Sequence, residues 1–116
     1  MSKNIVRDKS FEFALRIIKL YKYLTDQKKE YVLSKQLLRS GTSIGAMVRE
    51  AEQAESKADF IHKMSVALKE ANESEYWIEL LHKSDYLEDR GFESISSDIK
   101  EILKLLTSII KTSKKS

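Results

Sequence analysis

Residues 39–46 read RSGTSIGA, a run of small residues inside an otherwise helix-forming segment. Gly41 and Gly45 together cost a helix about 2 kcal/mol of propensity relative to alanine. The small and apolar positions nevertheless keep alternating steps of three and four residues across the run, at Leu37, Ser40, Ile44, Met47 and Ala51. That spacing is typical of a helix packed along one stripe. We therefore predict one continuous helix lying close to a neighbour; the alternative is a loop that divides two shorter helices.

Helical periodicity extends from this run over most of the chain, and we predict helices at about residues 10–25, 31–54, 57–84 and 94–112. The 116 residues include no proline and only three glycines, and the connections are short. Short loops between long helices favour an antiparallel up-down arrangement. The prediction is an all-α fold, a single four-helix-bundle domain spanning residues 1–116.

Two helix starts carry local signals. Ser56 and Asp59 form an S-x-x-D capping box ahead of the third helix. Residues 85–93, with Gly91, interrupt the periodicity before the fourth helix, and Ser94 is the predicted N-cap. We predict a polar start over residues 1–10 and a frayed basic tail over residues 111–116.

Composition and motifs argue against several classes of protein. The chain has no cysteine, which excludes disulfides, thiolate metal sites and a cysteine nucleophile. No apolar run approaches the length of a membrane span, so we expect a soluble, cytoplasmic protein without membrane contact. No glycine-rich phosphate loop accompanies the acidic residues. We expect no enzymatic activity, no catalytic residues and no cofactor.

Two segments of the third helix have a spacing similar to the E-x-x-H pattern of metal sites, Asp59 to His62 and Glu79 to His82. A metal site is therefore an alternative to a solvated helix face. Di-iron bundles need such motifs on two facing helices. Here both histidines lie on the third helix, 20 residues or about 30 Å apart. They cannot share an ion within one chain, so the sequence favours a solvated helix face and no metal.

Helices 1 and 3 carry more apolar surface than one buried stripe requires. In helix 1 the additional apolar positions are Phe11, Ala14, Leu15 and Ile18, and in helix 3 they are Val66, Tyr76, Trp77 and Leu80. A second apolar face indicates a partner. We predict self-association; the alternative is that the residues before Phe11, or the loop at Tyr86 and Leu87, cover these positions.

Basic and acidic residues are concentrated in different helices, although the net charge is only +3. Residues 1–29 hold eight Lys or Arg against three acids, and residues 61–93 hold four against eight. Helices 1 and 4 are neighbours in an up-down bundle, so we predict one basic side, which favours head-to-tail contact with the acidic side of another copy. The candidate nucleic-acid-binding residues on it are Arg16, Lys19, Lys22, Lys104 and Lys111.

Polar residues on the predicted inner faces form a second candidate set. Arg39 and Glu73 stand among small and apolar neighbours, and interior charges are normally paired. We predict a structural ion pair there, with Ser40 and Ser43 hydrogen-bonded across the bundle.

The residue pattern resembles a known family. Residues 39–46 followed by Glu50, then residues 56–60 and 67–73, are similar to the bacterial four-helix-bundle family of 23S ribosomal RNA intervening-sequence proteins. That family is akin to the accessory variability determinant of diversity-generating retroelements, a basic, ring-forming bundle that binds nucleic acid and reverse transcriptase. Met47 and Ala51 depart from the asparagine and glycine often found in the family's segment.

The resemblance implies a four-helix protomer and a homopentamer. The matching positions imply packing and core-polar roles, and none is catalytic: Arg39, Ser40, Ser43, Ile44, Glu50, Phe60, Ala67 and Glu73. Two hypotheses follow. The first is a ring-shaped binder of RNA or other nucleic acid, and the alternative is a protein-assembly scaffold without nucleic acid contact.

Overall fold

Four helices make up nearly all of the chain. The computed structural model describes residues 2–116, with side chains from residue 5 onward. The helices are α1 (Ser2–Asp26), α2 (Leu33–Glu52), α3 (Lys57–Lys83) and α4 (Asp89–Lys115), and no strand occurs among the described residues. The bundle measures 47 × 21 × 20 Å. Within the described part, no helix is both long and apolar enough to cross a membrane.

The helices pack in chain order around the bundle. α1 contacts α2, α2 contacts α3, and α3 contacts α4, while a shorter contact between α4 and α1 closes the circle. Neighbours run in opposite directions: Ser10 of α1 lies against Gly45 of α2, whereas Ile17 lies against Gly41. α1 and α3 therefore occupy opposite corners and run in the same direction.

The core consists of one apolar stripe from each helix. Its largest fully buried side chains are Phe13, Ile17, Leu24, Leu37, Ile44, Met64, Ile78, Leu81, Ile99, Ile102 and Leu106. Burying each such side chain stabilises the fold by about 1.5–3 kcal/mol. Small residues fill the places where helices approach most closely, including Ala67 and Ala71 on α3.

The small-residue run lies within α2, which passes unbroken through both glycines, as the spacing predicted. A β-carbon on Gly41 would lie 2.9 Å from Ile17 Cγ1, closer than atoms can approach without displacement. A β-carbon on Gly45 would lie 3.5 Å from the Ser10 backbone, an ordinary contact. Gly41 is thus the position where α1 and α2 require a residue without a side chain.

The serines of the run differ in their surroundings. Ser40 is fully buried, and its hydroxyl lies 2.9 Å from that of Ser74 on α3, so a hydrogen bond joins the two helices. Ser43 is only partly buried, and its hydroxyl donates to the Arg39 carbonyl one turn earlier in α2. The expected bond from Ser43 across the bundle is wrong, because that side chain bonds within its own helix.

The expected interior position of Arg39 is also wrong. Its side chain is 53% exposed, and it pairs with Glu73 and, at 3.5 Å, with Glu70. The guanidinium thus reaches over the rim of the α2–α3 interface, where water solvates it. Glu50, expected among the core-polar residues, is exposed, because the buried positions near it are Val48 and Ala51.

The first helix begins eight residues earlier than predicted. Val6 is buried, and so is Ser10, at steps of four and three residues before Phe13. These positions extend the core stripe into the segment that we read as a polar start. The small Ser10 side chain fits there because Gly45 approaches it closely.

The fourth helix also starts early, at Asp89, and Ser94 is not its N-cap. The chain turns at Asp85, which takes the left-handed conformation (φ 70°), while the Tyr86 N–H donates to the Leu81 carbonyl. Gly91 has no positive φ and lies inside the helix. At the other end the helix continues to Lys115, so the tail that we predicted to fray is helical.

The start of α3 follows the predicted capping box. The Ser56 hydroxyl accepts the Asp59 N–H at 3.0 Å, and the Asp59 carboxylate accepts the N–H of Glu55 at 3.2 Å. The Glu55 N–H, with Lys63 nearby, lowers the pKa of Asp59 below its ordinary value. The carboxylate therefore stays charged at the positive end of the helix dipole.

A buried carboxylate caps α2. Glu30 is only 7% exposed, and it accepts the backbone N–H groups of Val32, Leu33 and Ser34 at 2.7–3.0 Å. Burial alone would raise the pKa of Glu30, but these N–H groups together lower it below the ordinary value. Glu30 thus satisfies three backbone donors that the start of a helix leaves without partners.

We predict opposite effects for alanine at the two glycines. Gly45→Ala should raise the free energy of unfolding by about 0.5–1 kcal/mol, because a methyl group fits and glycine disfavours helix. Gly41→Ala should lower it by up to about 2 kcal/mol, because Ile17 must move. Urea denaturation of both variants measures the difference, and equal effects would show that α1 and α2 are not in close contact at Gly41.

Glu30→Gln should destabilise the protein by about 1–2 kcal/mol at pH 7, since the charged acceptor is lost. A lowered folded pKa contributes stability above the ordinary glutamate pKa of about 4.3, and this contribution disappears as the pH falls through the folded pKa. The gap between wild type and variant should therefore narrow in acid. Urea denaturation at pH 7 and about pH 3 checks this, and an unchanged gap would contradict a charged cap.

Candidate nucleic-acid interface

The seam between α1 and α4 holds one of the predicted binding residues in ion pairs. Arg16 pairs with Asp98, and its second nitrogen donates to the Ser94 hydroxyl at 2.8 Å. Two turns earlier on α1, Lys9 pairs with Glu101 of α4 at 3.2 Å. These cations neutralise carboxylates within the chain, so Arg16 is not available as a free phosphate ligand.

Lys19 and Lys22 lie exposed on the outer side of α1. They flank three exposed apolar side chains, Phe11, Leu15 and Ile18, which point away from the core. The Arg49 guanidinium of α2 covers part of this face, 5.2 Å from the centre of the Phe11 ring. The surroundings of the two lysines are therefore largely apolar.

The structure does not bring all the predicted lysines together. The ion pair between Arg16 and Asp98 places these two residues at the same height along the bundle axis, and α1 and α4 run in opposite directions. Lys22 lies six residues beyond Arg16, and Lys104 lies six residues beyond Asp98 towards the opposite end. At 1.5 Å per residue they are about 18 Å apart along the bundle axis. The predicted single basic side is two surfaces, divided by the paired charges of the seam.

The second surface is the outer face of α4. Lys104 and Lys111 are exposed there, together with Lys100 and Lys115. None of these four lysines pairs with a carboxylate in the part of the chain that the structure describes. A shallow groove follows the face and is lined by Leu103, Lys104, Thr107, Ser108, Lys111, Thr112 and Lys115. We call the exposed residues of this lining, with Lys100, the α4 lysine face; Leu103 is partly buried and forms its floor.

The sequence analysis missed two components of this face. Lys100 stands one turn before Lys104, just as Lys111 stands one turn before Lys115, and that spacing was visible in the sequence. The hydroxyls of Thr107 and Ser108 stand between the two lysine pairs. The Thr107 hydroxyl donates its proton to the Leu103 carbonyl at 2.8 Å, so the donors that the face presents are the lysine ammonium groups and the Ser108 hydroxyl, along about 22 Å of helix.

Other polar clusters of the bundle look structural. His82 Nε2 lies 2.7 Å from Asp89, and its ring stacks on Phe92 with 3.9 Å between centroids. This contact joins the end of α3 to the start of α4. Among the described residues, no three His, Asp or Glu side chains converge as a metal site would require.

A solved structure has almost the same fold. A protein with unknown function from the S23 ribosomal protein family, from Bacteroides thetaiotaomicron, is 62% identical to this chain, with a TM-score of 0.94. The match covers 96% of this chain and 99% of that one. No curated protein matches the chain.

The family comparison covers nearly the whole bundle. A family model described as 23S rRNA-intervening sequence protein matches residues 2–108, from the first turn of α1 into the last third of α4. The match includes the α2 segment with Gly41 and Gly45, and the start of the α4 lysine face at Lys100 and Lys104. The chain belongs to the family of 23S rRNA-intervening sequence proteins.

Proposed function

We propose that this protein is a non-catalytic, self-associating bundle that binds RNA phosphates along the α4 lysine face. The observation that carries the proposal is the contrast between the two groups of cations beside the same helix. Lys9 and Arg16 pair with α4 carboxylates, whereas Lys100, Lys104, Lys111 and Lys115 stand exposed without such partners among the described residues.

Phosphate binding needs cations that are free to release counterions from the nucleic acid. Lysines one turn apart place two charges on one side of a helix, about 6 Å apart along its axis. The Ser108 hydroxyl between the two lysine pairs adds a donor for phosphate and ribose oxygens. The family description names an intervening sequence of 23S rRNA, which says where members are encoded, and we propose RNA as the nucleic acid to be tested first.

Self-association would multiply this modest surface. The family resemblance implies a homopentamer, and we propose a ring in which each subunit contributes one α4 lysine face. Several copies of a four-lysine surface bind a polyanion far more tightly than one copy, because the additional contacts form within a single complex. The proposal requires no cofactor and no bound metal.

A protein-assembly scaffold without RNA contact is the second candidate. The exposed apolar side chains of α1 favour it, because Phe11 and Leu15 remain about half exposed in the single chain. Such contiguous apolar surface usually marks a protein interface. The two candidates share self-association and differ in whether the α4 lysine face binds RNA.

Replacing Lys104 and Lys111 with glutamate should weaken binding to total cellular RNA at least tenfold at low salt, because four charge units change on the proposed surface. Wild-type affinity should also fall steeply as salt rises. Fluorescence anisotropy with labelled RNA measures both effects. Lys35→Glu with Lys57→Glu is the matched control, since both lysines are exposed on other helices and the charge change is identical.

Equal losses in the two double variants would mean that net charge rather than the α4 lysine face governs binding. Absence of wild-type binding at low salt would reject RNA binding and leave the scaffold candidate.

The proposed ring predicts a mass of about five subunits. Sedimentation equilibrium or light scattering of the wild type at micromolar concentration measures it. A monomer would reject self-association, and with it both the ring and the scaffold.

A further inference from the structure

The outer face of α1 is complementary to the outer face of α3, which lies on the opposite corner of the same bundle. We propose that α1 of one copy docks on α3 of the next copy, with the two helices side by side and running in the same direction. This inference rests on the self-association proposed above, and it names the two faces that meet.

The α1 face presents three exposed apolar side chains away from the core, and the α3 face presents one exposed aromatic side chain. On α1 these are Phe11, Leu15 and Ile18, and on α3 Tyr76 is 55% exposed beside the partly buried Trp77. The rings of Tyr76 and Trp77 pack edge to face, 5.1 Å apart, which holds the tyrosine against its helix. Since α1 and α3 occupy opposite corners, one copy can use both faces at once, one for each neighbour.

The internal contacts of the bundle fix the relative heights of the two faces. Ile17 of α1 packs on Gly41 of α2, and the adjacent Ser40 bonds to Ser74 of α3. Ile17 and Ser74 therefore lie at nearly the same height along the bundle axis. In a ring whose axis is parallel to the bundle axis, contacting residues must share a height, because any shift along that axis would produce an open helix.

Charges on the two faces are complementary at equal heights. Glu12 and Lys69 lie five residues before Ile17 and Ser74, respectively. Lys22 and Glu79 lie five residues after these reference positions, and Asp26 and Lys83 lie nine residues after them. Each position pairs an acid with a base. Two residues after the reference positions, Lys19 stands level with Tyr76, and Ile18 is adjacent.

These six charged residues are exposed, and none has an ion-pair partner in the described part of its own chain. The cations of α1 that face α4 are paired instead within the chain, as are the acids of α3 that face α2. At these three heights each outer face thus retains an unpaired charge, and the signs are complementary in one parallel register. Such complementarity selects partner and register.

Charge reversal tests this contact. One variant carries Glu12→Lys with Lys22→Glu, and a second carries Lys69→Glu with Glu79→Lys, so net charge is unchanged in both. Each variant alone should assemble at least tenfold more weakly than wild type, since two pairs per contact become repulsive. The variant with all four substitutions should regain the wild-type mass, because every contact then joins two reversed faces. An equimolar mixture of the two variants should recover assembly only in part, because strict alternation leaves one mismatched contact in a ring of five.

The matched control is Lys35→Glu with Glu50→Lys, a charge exchange between exposed positions on α2, which should keep the wild-type mass. Circular dichroism confirms that each variant is helical, and sedimentation velocity gives its mass. Wild-type assembly in both reversed variants would overturn the α1–α3 contact. Assembly lost in the α1 variant alone would place α1 against another surface and would overturn it equally.

The charge-reversal experiment tests the α1–α3 contact separately from the proposed function. A monomeric wild type would reject self-association itself, whereas an assembled wild type that is insensitive to these exchanges would reject only this contact. RNA binding through the α4 lysine face is tested separately on protein with unchanged α1 and α3, because the residues of that face all lie on α4.

Discussion

The seating of Ile17 on Gly41 is the contact on which the rest of the bundle depends. It lets α1 and α2 approach without an intervening side chain, and it places Ser40 where it can bond to Ser74 of α3. Three of the four helices are thereby fixed in register within one layer of the core. The helix-propensity cost of glycine is offset by the apolar contacts that the close approach permits.

Much of the fold could be predicted because the apolar periodicity follows helix geometry directly. The continuity of α2 and the capped start of α3 followed from spacing and from Ser56. The ends of α1 and α4 could not be predicted as well, because they depend on tertiary contacts. Ser10 looks polar in the sequence but is buried against Gly45, and Asp85 rather than Gly91 takes the left-handed turn conformation.

The candidate site was predictable in composition but not in arrangement. Lys104 and Lys111 were identified from charge alone, yet charge could not show that Arg16 is paired across the seam with Asp98. That pairing depends on how α1 and α4 are aligned along the bundle axis, and the apolar periodicity of the sequence does not determine this alignment. Arg39 illustrates the same limit, since its stem follows the interface while its guanidinium reaches water at the rim.

The short contact between α1 and α4 bears on the order in which the bundle forms. Helices consecutive in the chain share long interfaces, whereas this first-to-last contact is the shortest and is lined by ion pairs such as Arg16 with Asp98. Closing it joins segments about 80 residues apart and requires most of the chain to be ordered already. We therefore expect interactions along this seam to form late in folding, so that they slow unfolding more than they speed folding.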